Sequence, residues 1–185
     1  FGSAECKKKL AEKGYLLSSA NSINFGRLAP QICYYFSAYC DLVTSDQIKM
    51  GDKVNFTVPT GNFGNILAGY YAKKMGLPVG TLVCASNKNN VLTDFWNKGT
   101  YDVKRPFYKT MSPSMDILVS SNLERLIFEL SGRDAALTKE RMASLAATGR
   151  YSLRAEELQK IRSEFYAAYA GEGDTVDCIY EFFEE

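Results

Sequence analysis

The 185-residue chain contains no histidine. That absence excludes Ser-His and Cys-His nucleophile pairs, and imidazole metal ligands, within this segment. Its five cysteines (Cys6, Cys33, Cys40, Cys84 and Cys178) form no CxxC pair, which excludes zinc ribbons and thioredoxin-type redox motifs. An excess of one charge is missing too, since 22 Lys+Arg stand against 21 Asp+Glu, a net +1. This balance supplies no basic field for a nucleic-acid backbone and no polybasic anchor for an anionic membrane. No apolar run approaches the roughly 18 residues of a membrane span, and no apolar signal-peptide core stands near Phe1.

What is present is ordinary globular material, 46% hydrophobic and 23% charged. A chain of this size is expected to form one domain and to bury about 70% of its unfolded surface without a disulfide or metal staple. The odd, scattered cysteines are expected to be reduced and mostly buried, in a cytoplasmic protein. The first residue is phenylalanine, so the chain is expected to be either processed or, by preference, a piece of something longer.

Periodicity predicts a basic helix over Ala4–Lys13, a brief strand at Tyr15–Leu17, and a polar loop over Ser18–Ser22. A long helix follows from about Asn24 to Val43, with Leu28, Ile32, Tyr35, Phe36, Tyr39 and Leu42 on one buried face. Val54–Val58 alternates as a strand with one less buried face. A helix is expected over Ile66–Met75, stopped by Gly76, and a second strand over Val79–Ala85. Strand, Gly-rich turn, helix and strand within some 30 residues form a βαβ unit. Its commonest home is an open, twisted, mostly parallel α/β sheet flanked by helices. Further helices are expected over Val91–Lys98, Asn122–Leu130, Asp134–Thr148, Leu153–Ala170 (with Ser152 as N-cap) and Thr175–Phe183. Gly99–Asp116 reads as a long loop. The division expected is an α/β portion over residues 1–131 and a helical extension over 132–185.

The informative stretch is Thr60-Gly61-Asn62-Phe63-Gly64-Asn65, between strand and helix. Two glycines permit a sharp turn and close approach of the backbone to a ligand. Free N–H groups at the helix start, with the positive end of its dipole, make an anion seat. The pattern is neither a P-loop nor GxGxxG, which disfavours a nucleoside triphosphate or a dinucleotide. On physics alone two readings stand: a phosphate seat, or a tight turn whose glycines serve only geometry.

The residues themselves resemble a family. Pro59-Thr60-Gly61-Asn62-Phe63-Gly64-Asn65 is similar to the phosphate loop of threonine synthases, pyridoxal-phosphate enzymes of the tryptophan-synthase-β fold (fold type II). Asn21-Ser22-Ile23-Asn24-Phe25-Gly26-Arg27-Leu28 with Gln31 resembles the family's upstream signature, and Ser86-Asn87-Lys88-Asn89-Asn90 its Asn-rich segment. Asp is often found in the family where Asn90 stands. Ser112–Ile117 and Ser120-Ser121-Asn122-Leu123-Glu124-Arg125 resemble further blocks. The matches run in family order over about residues 14–131 and resemble the longer, bacterial and fungal type.

The resemblance implies that Gly61, Asn62, Phe63, Gly64 and Asn65 hold the 5′-phosphate of pyridoxal 5′-phosphate. Family members convert O-phospho-L-homoserine and water into L-threonine and phosphate, with the pyridine ring as electron sink. Asn24 and Arg27 are candidate substrate-binding residues, with Arg27 suited to grip a phosphate bidentately or else to serve as a structural cation. Asn87, Asn89 and Asn90 either line the site or form loops through local hydrogen bonds. Lys88 is a candidate point charge. Met115 and Asp116 lie near the cofactor or close the fold, closure being preferred. The family's Schiff-base lysine motif is expected upstream of Phe1, and its pyridine-facing hydroxyl residue downstream of Glu185. No catalytic residue and no metal ligand is therefore assigned within this chain; Lys73 and Lys74 read as solvated surface. The chain alone is expected to show no turnover. Two alternatives stand beside a fragment of threonine synthase: a threonine-synthase-like phospho-lyase, and a non-catalytic α/β binding module.

Overall fold

The computed structural model describes residues 3–17, 21 and 23–184. The expected polar loop at Ser18–Ser22 falls largely outside them. α1 (Ala4–Glu12) is capped by Ser3, whose side chain accepts from the Cys6 N–H, and it buries no residue. Tyr15–Leu17 is not a strand: it is exposed and pairs with no other segment among the described residues, and a strand needs a ladder partner to satisfy its backbone.

α2 (Phe25–Thr44) follows the anticipated periodicity, with Leu28, Tyr35 and Tyr39 buried. Its opposite face carries Cys33 and Cys40, which are exposed like Cys6 and Cys178. Only Cys84 is buried, against the expectation for the cysteines as a group. Helical spacing explains the departure, since Cys33 and Cys40 are seven residues apart on the outward stripe.

β1 (Val54–Pro59) turns through the Gly-rich loop into α3 (Gly64–Lys74), and the chain returns as β2 (Val79–Ser86). β1 and β2 pair in parallel, from Val54 opposite Val79 to Pro59 opposite Ala85. β1 is the sheet edge, and its alternating burial matches the strand with one less buried face. α3 is buried along most of its length. Gly69 lets it approach α2, for a Cβ there would lie 2.6 Å from the Tyr35 ring. Lys73 is not solvated surface: its ammonium donates to the Gly80 carbonyl at 2.7 Å and pairs with Glu164 at 2.7 Å. The last turn of α3 sits over the start of β2, so the long lysine stem reaches across it.

α4 (Val91–Lys98) ends at Gly99 in the left-handed conformation. The region read as a long loop begins with β3 (Thr100–Asp102), and it holds a 3₁₀ turn at Pro113–Met115. α5 (Leu123–Leu130) buries Leu123, Leu126, Ile127 and Leu130, as its spacing predicts. α6 (Ala135–Thr148) starts at Asp134, whose carboxylate accepts from the Leu137 N–H at 3.0 Å. β4 (Arg150–Ser152) pairs antiparallel with β3, and Ser152 bonds Thr100 rather than capping a helix.

The single helix expected over Leu153–Ala170 is two elements. α7 spans Ala155–Glu164 and β5 spans Phe165–Tyr169. β5 pairs in parallel with β2, giving the sheet order β1-β2-β5. Phe165 leaves the helix with extended backbone. Its ring then packs against Phe63, Tyr70 and Trp96, and this tertiary burial overrides local helical spacing. α8 (Glu172–Glu184) closes the described chain. The result is a three-stranded parallel sheet flanked by helices, with a small antiparallel hairpin-like pair beside it.

Candidate functional site

The C-terminal ends of β1 and β2 lie side by side, and the Thr60 N–H donates to the Ala85 carbonyl at 2.8 Å. In open parallel sheets this edge is where ligands bind, beyond the carboxyl ends of the strands. Here it carries the Gly-rich loop. Phe63 takes the left-handed conformation (φ 63°) although it is not glycine, at a cost on the order of 1–2 kcal/mol. Burial of its ring, 1% exposed among Trp96 and Phe165, offsets that strain.

The turn leaves a run of backbone donors without partners. The N–H groups of Gly61, Asn62, Phe63, Gly64, Asn65 and Ile66 donate to nothing among the described residues, and the first loop-to-helix bond is Leu67 N–H to the Phe63 carbonyl. The loop's carbonyls, by contrast, are used. Gly61 O accepts from the Ser120 hydroxyl at 2.8 Å, and Asn62 O accepts from both the main-chain and side-chain nitrogens of Asn122. Unpaired donors at a helix N-terminus, with the dipole behind them, favour an anion.

These groups line a cleft of about 300 Å³ together with Asn21, Arg27 and Gln31. Among the described residues, Arg27 is the one cationic side chain of the lining, and no carboxylate belongs to it. Arg27 lies on the first turn of α2, exposed, and its guanidinium makes no hydrogen bond or ion pair among the described residues. Asn24 does not line the cleft. It caps α2, accepting from the Gly26 N–H at 2.9 Å, and thereby fixes the turn that carries Arg27. Gln31 joins the site one helical turn after Arg27, whose carbonyl its amide reaches at 2.7 Å. Its i,i+4 spacing from Arg27 was the available signal for it.

Beneath the loop, the Tyr35 hydroxyl donates to Asn65, 2.8 Å from its side-chain oxygen and 2.9 Å from its carbonyl. Burial holds the Tyr35 phenol well above its ordinary pKa, so it remains a donor. Burial pushes the Cys84 thiol up to about 12, against smaller lowering by hydrogen bonds with Thr60 and Ser86.

The Asn-rich segment stands apart from this cleft. Asn87 and Asn89 both donate to Asp116, at 2.7 and 3.0 Å, and Thr110 donates to it through main chain and hydroxyl. Those bonds, led by the Thr110 N–H, hold the Asp116 carboxyl below its usual range. Asn90 accepts from Arg105, and Lys88 sits 4.3 Å from the centre of the Tyr108 ring. This network closes the 106–116 segment over the sheet. It also seats Ser114 so close to Gly61 that a Cβ on Gly61 would lie 2.5 Å from the Ser114 carbonyl.

Comparison with known proteins sharpens this geometry. The chain is 39% identical to threonine synthase of Pseudomonas aeruginosa over 181 residues, 96% of its own length and 37% of that enzyme's. The crystal structure of pyridoxal-phosphate-bound threonine synthase from Brucella melitensis superposes with a TM-score of 0.80 at 46% identity, over 86% of this chain and 33% of that one. Over most of its length the chain is homologous to the threonine synthases. Yeast threonine synthase superposes with a TM-score of 0.81 at 34% identity, over 90% of the chain. Human "Threonine synthase-like 1" is 46% identical over 91% of the chain, which corresponds to 23% of that protein. The chain thus spans between about a quarter and two fifths of the curated relatives it matches. No family model matches it. The parallel sheet flanked by helices, with threonine synthases as structural neighbours, is consistent with the partial fold type II domain that the resemblance implied.

Proposed function

We propose that the Gly61–Asn65 loop seats the 5′-phosphate of pyridoxal 5′-phosphate in a threonine-synthase-type site. The observation that carries this reading is the run of six N–H groups, Gly61–Ile66, that donate to nothing among the described residues, around a cleft whose described lining holds one cation and no carboxylate. That donor set fits a phosphate dianion, which accepts several N–H bonds at once. When bound, the cofactor supplies an electron sink for carbanion chemistry. The chain's own residues bind and orient: loop amides fix the cofactor phosphate, and Arg27 holds the phosphate of an incoming phosphorylated amino acid. Asn24 sets the helix turn that presents Arg27, and Gln31 lines the wall beside it.

The reaction proposed is conversion of O-phospho-L-homoserine and water into L-threonine and phosphate, in the cytoplasm. The cleft lining includes no lysine. Since no lysine of the chain stands in the family's Schiff-base motif, we propose that the lysine which would bear the cofactor belongs to sequence outside these 185 residues, and the chain alone is expected to form no threonine. A second reading is a threonine-synthase-like phospho-lyase that releases phosphate without making threonine; the chain is 46% identical to "Threonine synthase-like 1" as well as homologous to threonine synthases.

The test is phosphate release and threonine formation from O-phospho-L-homoserine by the native-length protein, of which this chain is the proposed part, supplied with cofactor. Equimolar threonine and phosphate support the first reading, and phosphate without threonine supports the second. Neither product, in a folded protein, moves the chain to a non-catalytic binding module.

A further inference from the structure

The Ser120–Arg125 segment stands behind the phosphate loop and lines no part of the cleft. Its contacts converge on the loop's carbonyl groups. The Ser120 hydroxyl donates to Gly61 O at 2.8 Å. Asn122, fully buried, donates twice to Asn62 O, through its backbone N–H at 3.1 Å and its side-chain amide at 2.9 Å. All peptide bonds described are trans. In a planar trans peptide the C=O of one residue and the N–H of the next point in opposite directions. Pinning Gly61 O on the far side therefore turns the Asn62 N–H toward the cleft, and pinning Asn62 O does the same for the Phe63 N–H.

The pins are themselves held. The Ser120 N–H donates to the Tyr101 hydroxyl at 2.9 Å, and that hydroxyl donates to Leu118 O at 2.8 Å. Tyr101 is 1% exposed and stacks on Tyr151 with ring centres 5.4 Å apart, so its hydroxyl is a rigid post. The Asn122 side-chain oxygen accepts from the Arg125 guanidinium, which fixes the amide with its nitrogen toward the loop. The same guanidinium donates to Ile23 O at 2.5 Å, just ahead of the Asn24 cap. One side chain thus ties the loop wall of the cleft to the helix start that carries Arg27.

We infer that Ser120, Asn122 and Arg125 form a positioning clamp that aims the Asn62 and Phe63 N–H groups at the phosphate and sets their distance from Arg27. The inference rests on the reading of the loop as a phosphate seat. None of the three touches the ligand; they act through the loop's peptide planes.

The experiment compares pyridoxamine phosphate with pyridoxamine, which lacks the phosphate, as ligands of the native protein, of Ser120→Ala and of Asn122→Asp. The quantity read is the ratio of the two affinities, because loss of general structure weakens both ligands together. Ser120→Ala, which removes a single hydroxyl, keeps the test open if Asn122→Asp fails to fold. The clamp predicts that Ser120→Ala lowers the phosphate preference about threefold to tenfold, with pyridoxamine affinity unchanged. Ser120→Thr, which restores a hydroxyl, recovers the preference. Asn122→Asp, which sets a carboxylate oxygen against the Asn62 carbonyl, lowers it further. An unchanged ratio in Ser120→Ala, or equal weakening of both ligands, overturns the clamp. Equal affinity of the native protein for both ligands overturns the phosphate-seat reading itself, and the clamp with it.

Discussion

Replacing Glu157 by glutamine isolates one buried interaction whose strength follows from the structure. Glu157 is 0% exposed at the start of α7, and Arg141 of α6 grips both its oxygens at 2.9 and 2.5 Å. The Arg154 backbone N–H adds a bond at 2.8 Å and its guanidinium another at 3.2 Å. Burial pushes the Glu157 carboxyl up, but the bonds from Arg141 and Arg154 outweigh it and hold it at about 2, against 4.5 for a free glutamate. At 1.36 kcal/mol per pH unit, that difference amounts to about 3 kcal/mol of stability. Because the folded value is depressed, the contribution is fully present above about pH 4.5 and is lost as pH falls through about 2; roughly 2 kcal/mol is gone by pH 3. Glu157→Gln leaves Arg141 buried without a counter-charge, so the loss at neutral pH is about 3–5 kcal/mol. Urea unfolding of the native protein and the variant, at pH 7 and at pH 3, reads both quantities. The stability gap between them should be large at pH 7 and narrower by about 2 kcal/mol at pH 3. A gap of equal size at both values would refute the reasoning.

Three further outcomes are expected. Gly61→Ala places a methyl 2.5 Å from the Ser114 carbonyl and forces loop or turn to shift, so pyridoxamine phosphate binding weakens about tenfold or more. Gly173→Ala, where nothing lies within 4 Å, is the control that leaves titration calorimetry unchanged. In the native-length protein, Arg27→Ala is expected to raise KM for a phosphorylated substrate while the unfolding midpoint stays put, since the exposed guanidinium supports no packing. In thiol labelling of the folded protein, Cys6, Cys33, Cys40 and Cys178 react, while Cys84, buried and pushed up to about 12, reacts only after unfolding.

Much of the fold is legible where one physical rule dominates. The inward face of α2 follows from 3.6-residue spacing, and the β1–α3–β2 unit follows from alternation, a Gly-rich turn and the Gly76 stop. The Gly-rich turn is legible because its features are local, with donors, glycines and helix start all within a few residues. What escapes the sequence depends on distant partners. Leu158, Ile161, Phe165 and Tyr169 keep helical spacing across the break at Glu164, and no glycine or proline marks it. Only the place beside β2 makes Phe165–Tyr169 a strand. β3 and β4 are three residues each, too short for alternation to register. The Asn87–Asn89–Asp116 network reads equally well as site or as loop until its bonds are seen. Likewise the motif at Ser120–Arg125 is visible as a motif, but its purpose lies about 60 residues away, on the carbonyls of Gly61 and Asn62.

Backbone donors of the Gly61–Ile66 turn are proposed to seat the cofactor's phosphate. Titration of the native protein with pyridoxamine phosphate and with pyridoxamine tests it most directly, since neither ligand carries an aldehyde to react with surface lysines. Two or more charge-assisted bonds, at roughly 1.5–3 kcal/mol each, predict that the phosphate strengthens binding at least about a hundredfold. Equal affinity for the two ligands would contradict the account.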